Sequence, residues 1–326
     1  MNKYSDSRRC PLCDSDTGYS PFIDRIYDDR FGFPEAVSIQ HCLSCDLFFT
    51  WPRFAGNVSS LYEAHYQRTS LAPKTIFRDA QVEVLRSRFA RWFLGLGNSG
   101  QYFAKRNCRI LDIGSGSGQA VLEAKLMGLE VVGYDVDRHS SVLGSELGIH
   151  IQSGEKISTS MENLKFDWIQ LNQVVEHYVD PLGSLREISD LLSPGGSVFI
   201  STPNSRSLAR RCMRKRWIHW HVPYHQQHFN PKSIKWLLAE LGYENIRVTY
   251  RTPSLWLIIQ LRALLTRPSL GSESQIWKQQ NSNLDEGDGS TNRLMLLPLI
   301  VVSVAARVLD FCRLGDCLVI IAEKNS

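Results

Sequence analysis

Arg109–Ile110–Leu111–Asp112–Ile113–Gly114–Ser115–Gly116–Ser117–Gly118–Gln119 joins a short apolar run to a helical pattern through three glycines. Arg109–Ile113 has the length and composition of a buried strand, and Gln119–Met127 has helical spacing closed by Gly128. Glycines at such a junction let the backbone turn tightly and approach a ligand closely. In open α/β sheets ligands sit beyond the carboxyl ends of the strands, where this junction lies. The spacing is G-x-G-x-G, not the G-x-G-x-x-G of dinucleotide sites. Asp112 precedes the first glycine, and an acid there repels a pyrophosphate and attracts a cation.

Outward from this junction the α/β alternation continues. Glu130–Tyr134 reads as a second strand ending on Asp135, placed as a ribose-hydroxyl acceptor would be. Phe166–Leu171 and Ser197–Ser201 read as further strands, with a helix over Leu182–Leu191 and a turn at Ser193–Gly196 between them. Pro231–Leu241 adds a helix, Asn245–Tyr250 a strand, and Leu318–Ala322 a last strand. Such alternation predicts a mostly parallel sheet covered on both faces. Two acids beside a glycine crevice suit a nucleoside with a positive, phosphate-free arm, and S-adenosylmethionine (SAM) answers that description. A nicotinamide dehydrogenase is opposed by the glycine spacing and by Asp112.

The chain has 326 residues, with 43% hydrophobic and 21% charged, an ordinary globular balance. Its net charge of +4 is too small to argue for nucleic acid. No apolar leader is visible at the N-terminus, and Leu294–Ala306 is too short to span a bilayer. The expectation is a cytoplasmic protein with a peripheral membrane contact. Eight cysteines in that setting suggest metal or free thiols rather than disulfides.

Four of them form two C-x2-C pairs, Cys10/Cys13 and Cys42/Cys45, which can close a tetrahedral thiolate site for structural Zn²⁺. The 28-residue spacer is longer than in a minimal ribbon, and His41 is a lesser candidate ligand. Residues 58–107 read as a helical connector packing on the next domain, from Leu61, Tyr62, His65 and Tyr66 and from Val82, Leu85, Phe89, Trp92 and Phe93 at helical spacing. Between the last two strands lies an insertion, 253–316. Its apolar helices cover Ser254–Leu265 and Leu294–Phe311, and the polar loop Gly271–Asn292 that joins them is expected to be mobile.

The sequence resembles class I SAM-dependent methyltransferases over roughly 108–250 and the final strand. The resemblance rests on Leu111–Gly118, Gly133–Tyr134–Asp135, Phe166–Asp167–Trp168, Glu176–His177 and Leu192–Gly196. It is similar to the subgroup with an N-terminal zinc module, through the cysteine pairs and the stretch Leu47–Pro52. Asp14 and Asp46 stand where that subgroup usually has glycine after each knuckle, and aspartate tolerates the left-handed conformation. The resemblance implies a Rossmann-like seven-stranded mostly parallel sheet with helices on both faces. A small N-terminal zinc ribbon would precede it, and a helical insertion would come before the last strand. The implied division is 1–57 zinc-ribbon-like module, 58–107 helical connector and 108–326 methyltransferase domain.

The resemblance also implies site roles. Asp112 and the loop Gly114, Ser115, Gly116 and Gly118 would hold the methionine end of SAM. Asp135 would take the ribose and Val136 would flank the adenine. Glu155 stands where an acid, usually Asp directly after Gly, reaches the adenine amine. Asn172 and Val174 would lie near the methyl group. The acceptor would be a small molecule, such as a sugar or glycolipid precursor.

A hydroxyl acceptor calls for a general base, and histidine is the usual choice. His228, which precedes a helix with Asn230 as its N-cap, is the first candidate, then His177, then His225. Glu176, His219 and His221 lie nearby in sequence, although the histidine spacing matches no standard metal cage. Arg206, Arg210, Arg211, Arg214, Lys215 and Arg216, with Trp217 and Trp220, read as a grip on a diphosphate, an anionic-lipid surface or a solvated face. With the insertion they set the expected membrane contact at 206–220 and 253–311. No nucleic-acid partner is expected. The alternative is a noncatalytic zinc-ribbon protein binding SAM or RNA, to which the basic and aromatic interleaving gives some support.

Overall fold

The structure is a computed structural model that describes residues 4–5, 9–15, 19–54, 72–274, 277 and 293–325. In the N-terminal part, β1 (Tyr4–Ser5) pairs antiparallel with β5 (Arg53–Phe54), while β2 (Tyr19–Tyr27), β3 (Ala36–Cys42) and β4 (Phe48–Trp51) form an antiparallel meander. The central sheet contains β6 (Arg109–Ile113), β7 (Glu130–Asp135), β8 (Ile151–Ser153), β9 (Phe166–Asn172), β10 (Leu192–Pro203), β12 (Tyr243–Tyr250) and β13 (Cys317–Lys324). Its strand order is β12-β13-β10-β9-β6-β7-β8. Only β13 runs against its neighbours, because it returns from the insertion rather than from a crossover helix. This is the predicted seven-stranded, mostly parallel sheet. The sequence reading overlooked β8, which is three residues long. The expected turn at Ser193–Gly196 is instead a bulged start of β10, where register shifts between Leu192 and Ser197.

The helices are α1 (Pro73–Leu85), α2 (Arg88–Leu94), α3 (Gln119–Leu126), α4 (Arg138–Glu146), α5 (Ile157–Ser160), α6 (Pro181–Ser189), α7 (Leu208–Met213), α8 (Pro231–Glu240), α9 (Ser254–Leu265) and α10 (Arg293–Phe311). Ile76, Ala80, Val121, Leu122 and Leu143 of α1, α3 and α4 cover one part of the sheet. Leu185, Ile188, Ile234 and Leu237 of α6 and α8 pack on the other face with Leu111, Ile169 and Ile200. Asn230 caps α8 through a reciprocal bond pair with Ser233, as its position predicted.

Two expectations change. The apolar stripe of the connector does not pack inward: Leu85 is 86% exposed and Phe89 70%, while Ile76 and Ala80 are the buried positions. The chain breaks at Arg86–Ser87, and that break rotates the stripe out of register. Leu61, Tyr62, His65 and Tyr66, and most of the 271–292 loop, lie outside the described residues.

Trp217 and Trp220, read as surface aromatics, are each 1% exposed. They pack with Ile23, Ile26, Val37, Ile39 and Phe48 of the N-terminal sheet. Trp217 Nε1 donates to Asp316 and Trp220 Nε1 to the Arg214 carbonyl, so burial leaves neither indole N–H unpaired. The segment 206–220 therefore offers no aromatic anchor to a membrane and no stacking platform to RNA. Arg211, Arg214, Lys215 and Arg216 remain exposed.

The N-terminal sheet is completed by a strand far along the chain. β11 (Gln227–His228) pairs antiparallel with β4 and makes the order β11-β4-β3-β2. Cys10, Leu12, Cys42, Cys45, Leu47 and Phe49 share one core with the methyltransferase-like sheet. The insertion joins on the far side, where Gln260 of α9 bonds both Ile218 N and the Arg216 carbonyl.

Candidate active site

The donor end is built where β6, β7 and β9 stop side by side. Asp112 is 2% exposed, and its Oδ1 accepts from Gln170 Nε2 at 2.8 Å and Asn172 Nδ2 at 3.3 Å. Burial pushes the Asp112 carboxyl up to about 6, with those bonds working against the rise. The loop that follows bends back on β7, where Gly114 N and Ser115 N both bond the Tyr134 carbonyl. Gly114 has φ +71°, and a Cβ there would come within 2.5 Å of Val174 Cγ2, so glycine is required twice over. Asp135 accepts from Gly116 N at 2.7 Å and Asp137 N at 2.9 Å, which fixes its carboxylate at the mouth of the loop. Gly118 is the N-cap residue of α3. Val136 is 59% exposed beside Asp135, and Glu155, past β8, is also exposed.

Sequence reasoning missed the support behind this loop. Gln170 is fully buried in the middle of β9, and a polar residue between Ile169 and Leu171 was the available signal. It also bonds Gln101, which in turn donates to Glu123 Oε2 at 2.6 Å. Gly100 N donates to Asn172 Oδ1 at 3.1 Å. Residues 100–101 of the connector therefore form the back wall of the candidate cofactor site.

Past Val174, a 3-10 turn (Val175–His177) carries Glu176 and His177. A ring nitrogen of His177, a ring nitrogen of His225 and a carboxylate oxygen of Glu176 lie within 4.8 Å of one another. Nδ1 of His177 meets the Tyr224 carbonyl at 3.1 Å, and Nδ1 of His225 meets the His219 carbonyl at 2.9 Å. A carbonyl only accepts, so each Nδ1 carries the proton and each Nε2 carries the lone pair. Burial lowers His177 to about 4 and His225 well below the usual histidine value. Glu176 is 1% exposed, and burial raises it to about 8. One of its oxygens accepts from Thr202, and Oε1 has no hydrogen-bond partner among the described residues.

His228 lies elsewhere. It is in β11 against the N-terminal sheet, with Nε2 3.2 Å from Thr50 Oγ1 and its ring edge-on to Trp220. Thr50 gives its own proton to the His225 carbonyl, so its oxygen accepts from His228. Burial alone holds His228 at about 3.

Cys10 and Cys45 have sulfurs 3.5 Å apart, as do Cys13 and Cys42, and all four sulfurs fall within 4.8 Å. Tetrahedral zinc with bonds of about 2.3 Å places sulfurs roughly 3.8 Å apart, so the donor set fits that ion. The two knuckles have the same turn, with Asp14 N on the Cys10 carbonyl and Asp46 N on the Cys42 carbonyl. Asp14 and Asp46 both take positive φ, as their positions predicted. His41 does not join the cluster; its Nε2 bonds Asp46 at 2.7 Å.

Residues 78–248, more than half of the chain, match a family model described as a methyltransferase domain. The chain belongs to that family. The ubiquinone biosynthesis O-methyltransferase of Ruegeria pomeroyi is 31% identical over 152 residues, covering 42% of this chain and 60% of that protein. The protein of the same name from Caulobacter sp. is 27% identical over 187 residues, covering 53% and 73% respectively. The chain thus spans less than two thirds of the Ruegeria relative. A SAM dependent methyltransferase from Archaeoglobus fulgidus is 17% identical with a TM-score of 0.44, covering 82% of this chain and 100% of that one. Among the described residues no helix is long and apolar enough to cross a membrane.

Proposed function

We propose that this methyltransferase moves the methyl group of SAM to a hydroxyl of a small-molecule acceptor. The observation that carries the reading is the succession along one strand end. Asn172 touches Asp112, Val174 touches the glycine loop, and Glu176–His177 follows at once with His225 opposite. Donor and acceptor groups are thereby held along one edge, which in-line displacement requires.

Asp112 and the loop Gly114, Ser115, Gly116 and Gly118 would hold the methionine end. Asp135 would bind the ribose, Val136 and Glu155 would meet the adenine, and Asn172 and Val174 would flank the methyl group. The acceptor oxygen bonds to the methyl carbon as the carbon–sulfur bond breaks, and the hydroxyl proton passes to a basic nitrogen. Nε2 of His177 or His225 is suited to receive it, because burial keeps each ring neutral. His228, first by sequence, is third by geometry because its Nε2 is engaged with Thr50.

The four cysteines would hold Zn²⁺ as a structural staple. Oxygen as the methylated atom is supported by the relatives named O-methyltransferases. A sugar or glycolipid precursor is the acceptor class we propose, with exposed Arg211, Arg214, Lys215 and Arg216 available to a diphosphate. The test is incubation with methyl-deuterated SAM and a panel of hydroxyl compounds, read by mass spectrometry. A labelled methyl increment that disappears in His225→Ala is expected. Protein that binds S-adenosylhomocysteine (SAH) yet labels no hydroxyl in the panel would remove the reading.

The membrane contact is proposed on a face different from 206–220. Leu265 is 85% exposed on α9 and Phe311 89% on α10. Exposed Phe89 and Trp92 of α2 stand beside α10, where Arg307 bonds the Trp92 carbonyl. Arg88, Arg262 and Arg313 are exposed on and beside these helices, and the acid Asp310 is paired with Arg307, which suits an anionic lipid surface. Co-sedimentation with vesicles containing anionic lipid, lost in Phe311→Asp, is the expected result; equal binding to neutral vesicles or none at all would sink it.

A further inference from the structure

We infer that Glu176, His177 and His225 form a second metal site, for one divalent cation of the zinc, cobalt or iron class, separate from the cysteine cluster. Three ligand atoms within 4.8 Å are gathered to within side-chain adjustment of the roughly 3.4 Å spacing around a four-coordinate ion with nitrogen and oxygen ligands. Two histidines and one carboxylate with a remaining open position are the donor set of catalytic rather than structural metal sites. Each histidine donates Nδ1–H to a backbone carbonyl, Tyr224 for His177 and His219 for His225. That outer bond is what metal-ligating histidines make, because it fixes the ring and the tautomer and leaves Nε2 to the metal.

Glu176 supplies the second, independent observation. Its Oε1 is buried without a hydrogen-bond partner among the described residues, and a buried oxygen left so is costly unless something compensates it. A cation there would do so. Of the neighbouring histidines, His228 meets Thr50 and His219 meets Asp316 at 3.3 Å, and the ligand atoms gathered within 4.8 Å among the described residues come from Glu176, His177 and His225. Its open position would take an oxygen of the acceptor and make that hydroxyl more acidic. This role, though not the metal binding, rests on the acceptor reading above; with the ion bound, Nε2 of His177 and His225 ligate it and the hydroxyl proton leaves to solvent water instead.

The experiment is Co²⁺ titration into the full chain with its cysteine site already filled by Zn²⁺, read by visible absorption and by metal content. One cobalt per chain is expected beside one zinc, with d–d bands and no thiolate charge-transfer band. Glu176→Gln and His225→Asn should each lower cobalt affinity at least tenfold while SAH affinity stays within threefold. The wild-type protein alone gives a second readout, two paramagnetically shifted exchangeable imidazole proton signals. No cobalt beyond the cysteine site, unchanged affinity in both variants, or absence of those signals overturns the inference. Methyl transfer that persists unchanged under a chelator that empties this site overturns the metal's role and leaves the acceptor reading standing. Cobalt bound with no hydroxyl labelled overturns the acceptor reading, and the metal's role with it, and leaves the metal binding standing.

Discussion

Arg206 donates from Nη2 to Asp46 Oδ1 at 2.5 Å, which ties the residue after the second cysteine knuckle to the loop that leaves β10. Asn230 adds a bond to the Asp46 carbonyl, and His41 holds the same carboxylate from within the module. Burial pushes the Asp46 carboxyl up, but the hydrogen bonds from Arg206 and His41 outweigh it and hold the group below the ordinary carboxylate value. The second cysteine knuckle is thus tied to the loop that leaves β10 and to the N-cap of α8.

With zinc held by the four cysteines as proposed, its removal should act unevenly. Metal folding energy is lost with the ion, so a strong chelator should lower the melting temperature by several degrees and reduce methyl transfer. SAH affinity should change less than threefold, because among the described residues no hydrogen bond joins these four cysteines to the donor loop. Calorimetry before and after chelation checks this; parallel loss of SAH binding would refute the division.

Asp135→Ala should weaken SAH binding by about a hundredfold. Two charge-assisted hydrogen bonds to ribose hydroxyls are each worth about 1.5–3 kcal/mol, and the substitution also frees Gly116 N. Isothermal titration reads the change, and an affinity within threefold of wild type would reject the assignment.

SAM affinity should rise with pH through about 6. Asp112 is raised by burial, so below that pH it is protonated and loses its attraction for the cationic donor. Each pH unit below 6 should weaken SAM up to about tenfold, following one linked proton. Asp112→Asn should flatten the profile. Without ligand the same raised pKa lowers stability progressively as pH rises from the unfolded carboxyl value to about 6, and the full cost persists above that pH, where bound SAM offsets it.

His225→Ala and His228→Ala should separate cleanly. The first should lower turnover by about a hundredfold or more with SAH affinity kept, the scale of a lost general base. The second should mainly lower the melting temperature, since it removes the Thr50 bond and the contact with Trp220. Turnover at fixed melting behaviour, measured for both, would reveal a reversed order.

Trp220→Ala should destabilise the chain by about 3–5 kcal/mol, the cost of a large cavity in a packed core. Denaturant unfolding measures it. A change under 1 kcal/mol would mean that the side chain sits at the surface.

The methyltransferase half was legible because its determinants are local. Ile110–Ile113, the glycine run and Asp135 are each read within a few residues, and a parallel strand buried on both faces shows as an apolar run whatever it pairs with. The cysteine spacing was legible for the same reason, since each knuckle is one turn. The connector failed because a break at Arg86–Ser87 reverses which apolar residues face inward, and only packing reports that.

The sequence by itself determined the α/β class with its mostly parallel sheet, the glycine loop after β6 and the identity of the residues able to bind metal or take a proton. Only the tertiary structure decided that Gln227–His228 would extend the N-terminal sheet, that Trp217 and Trp220 would be core, and that His225 rather than His228 would face Glu176 and His177. Those outcomes join segments far apart in the chain. Residue type states what a side chain can donate or accept, but which lone pair faces which is set by backbone positions that long-range packing alone brings together.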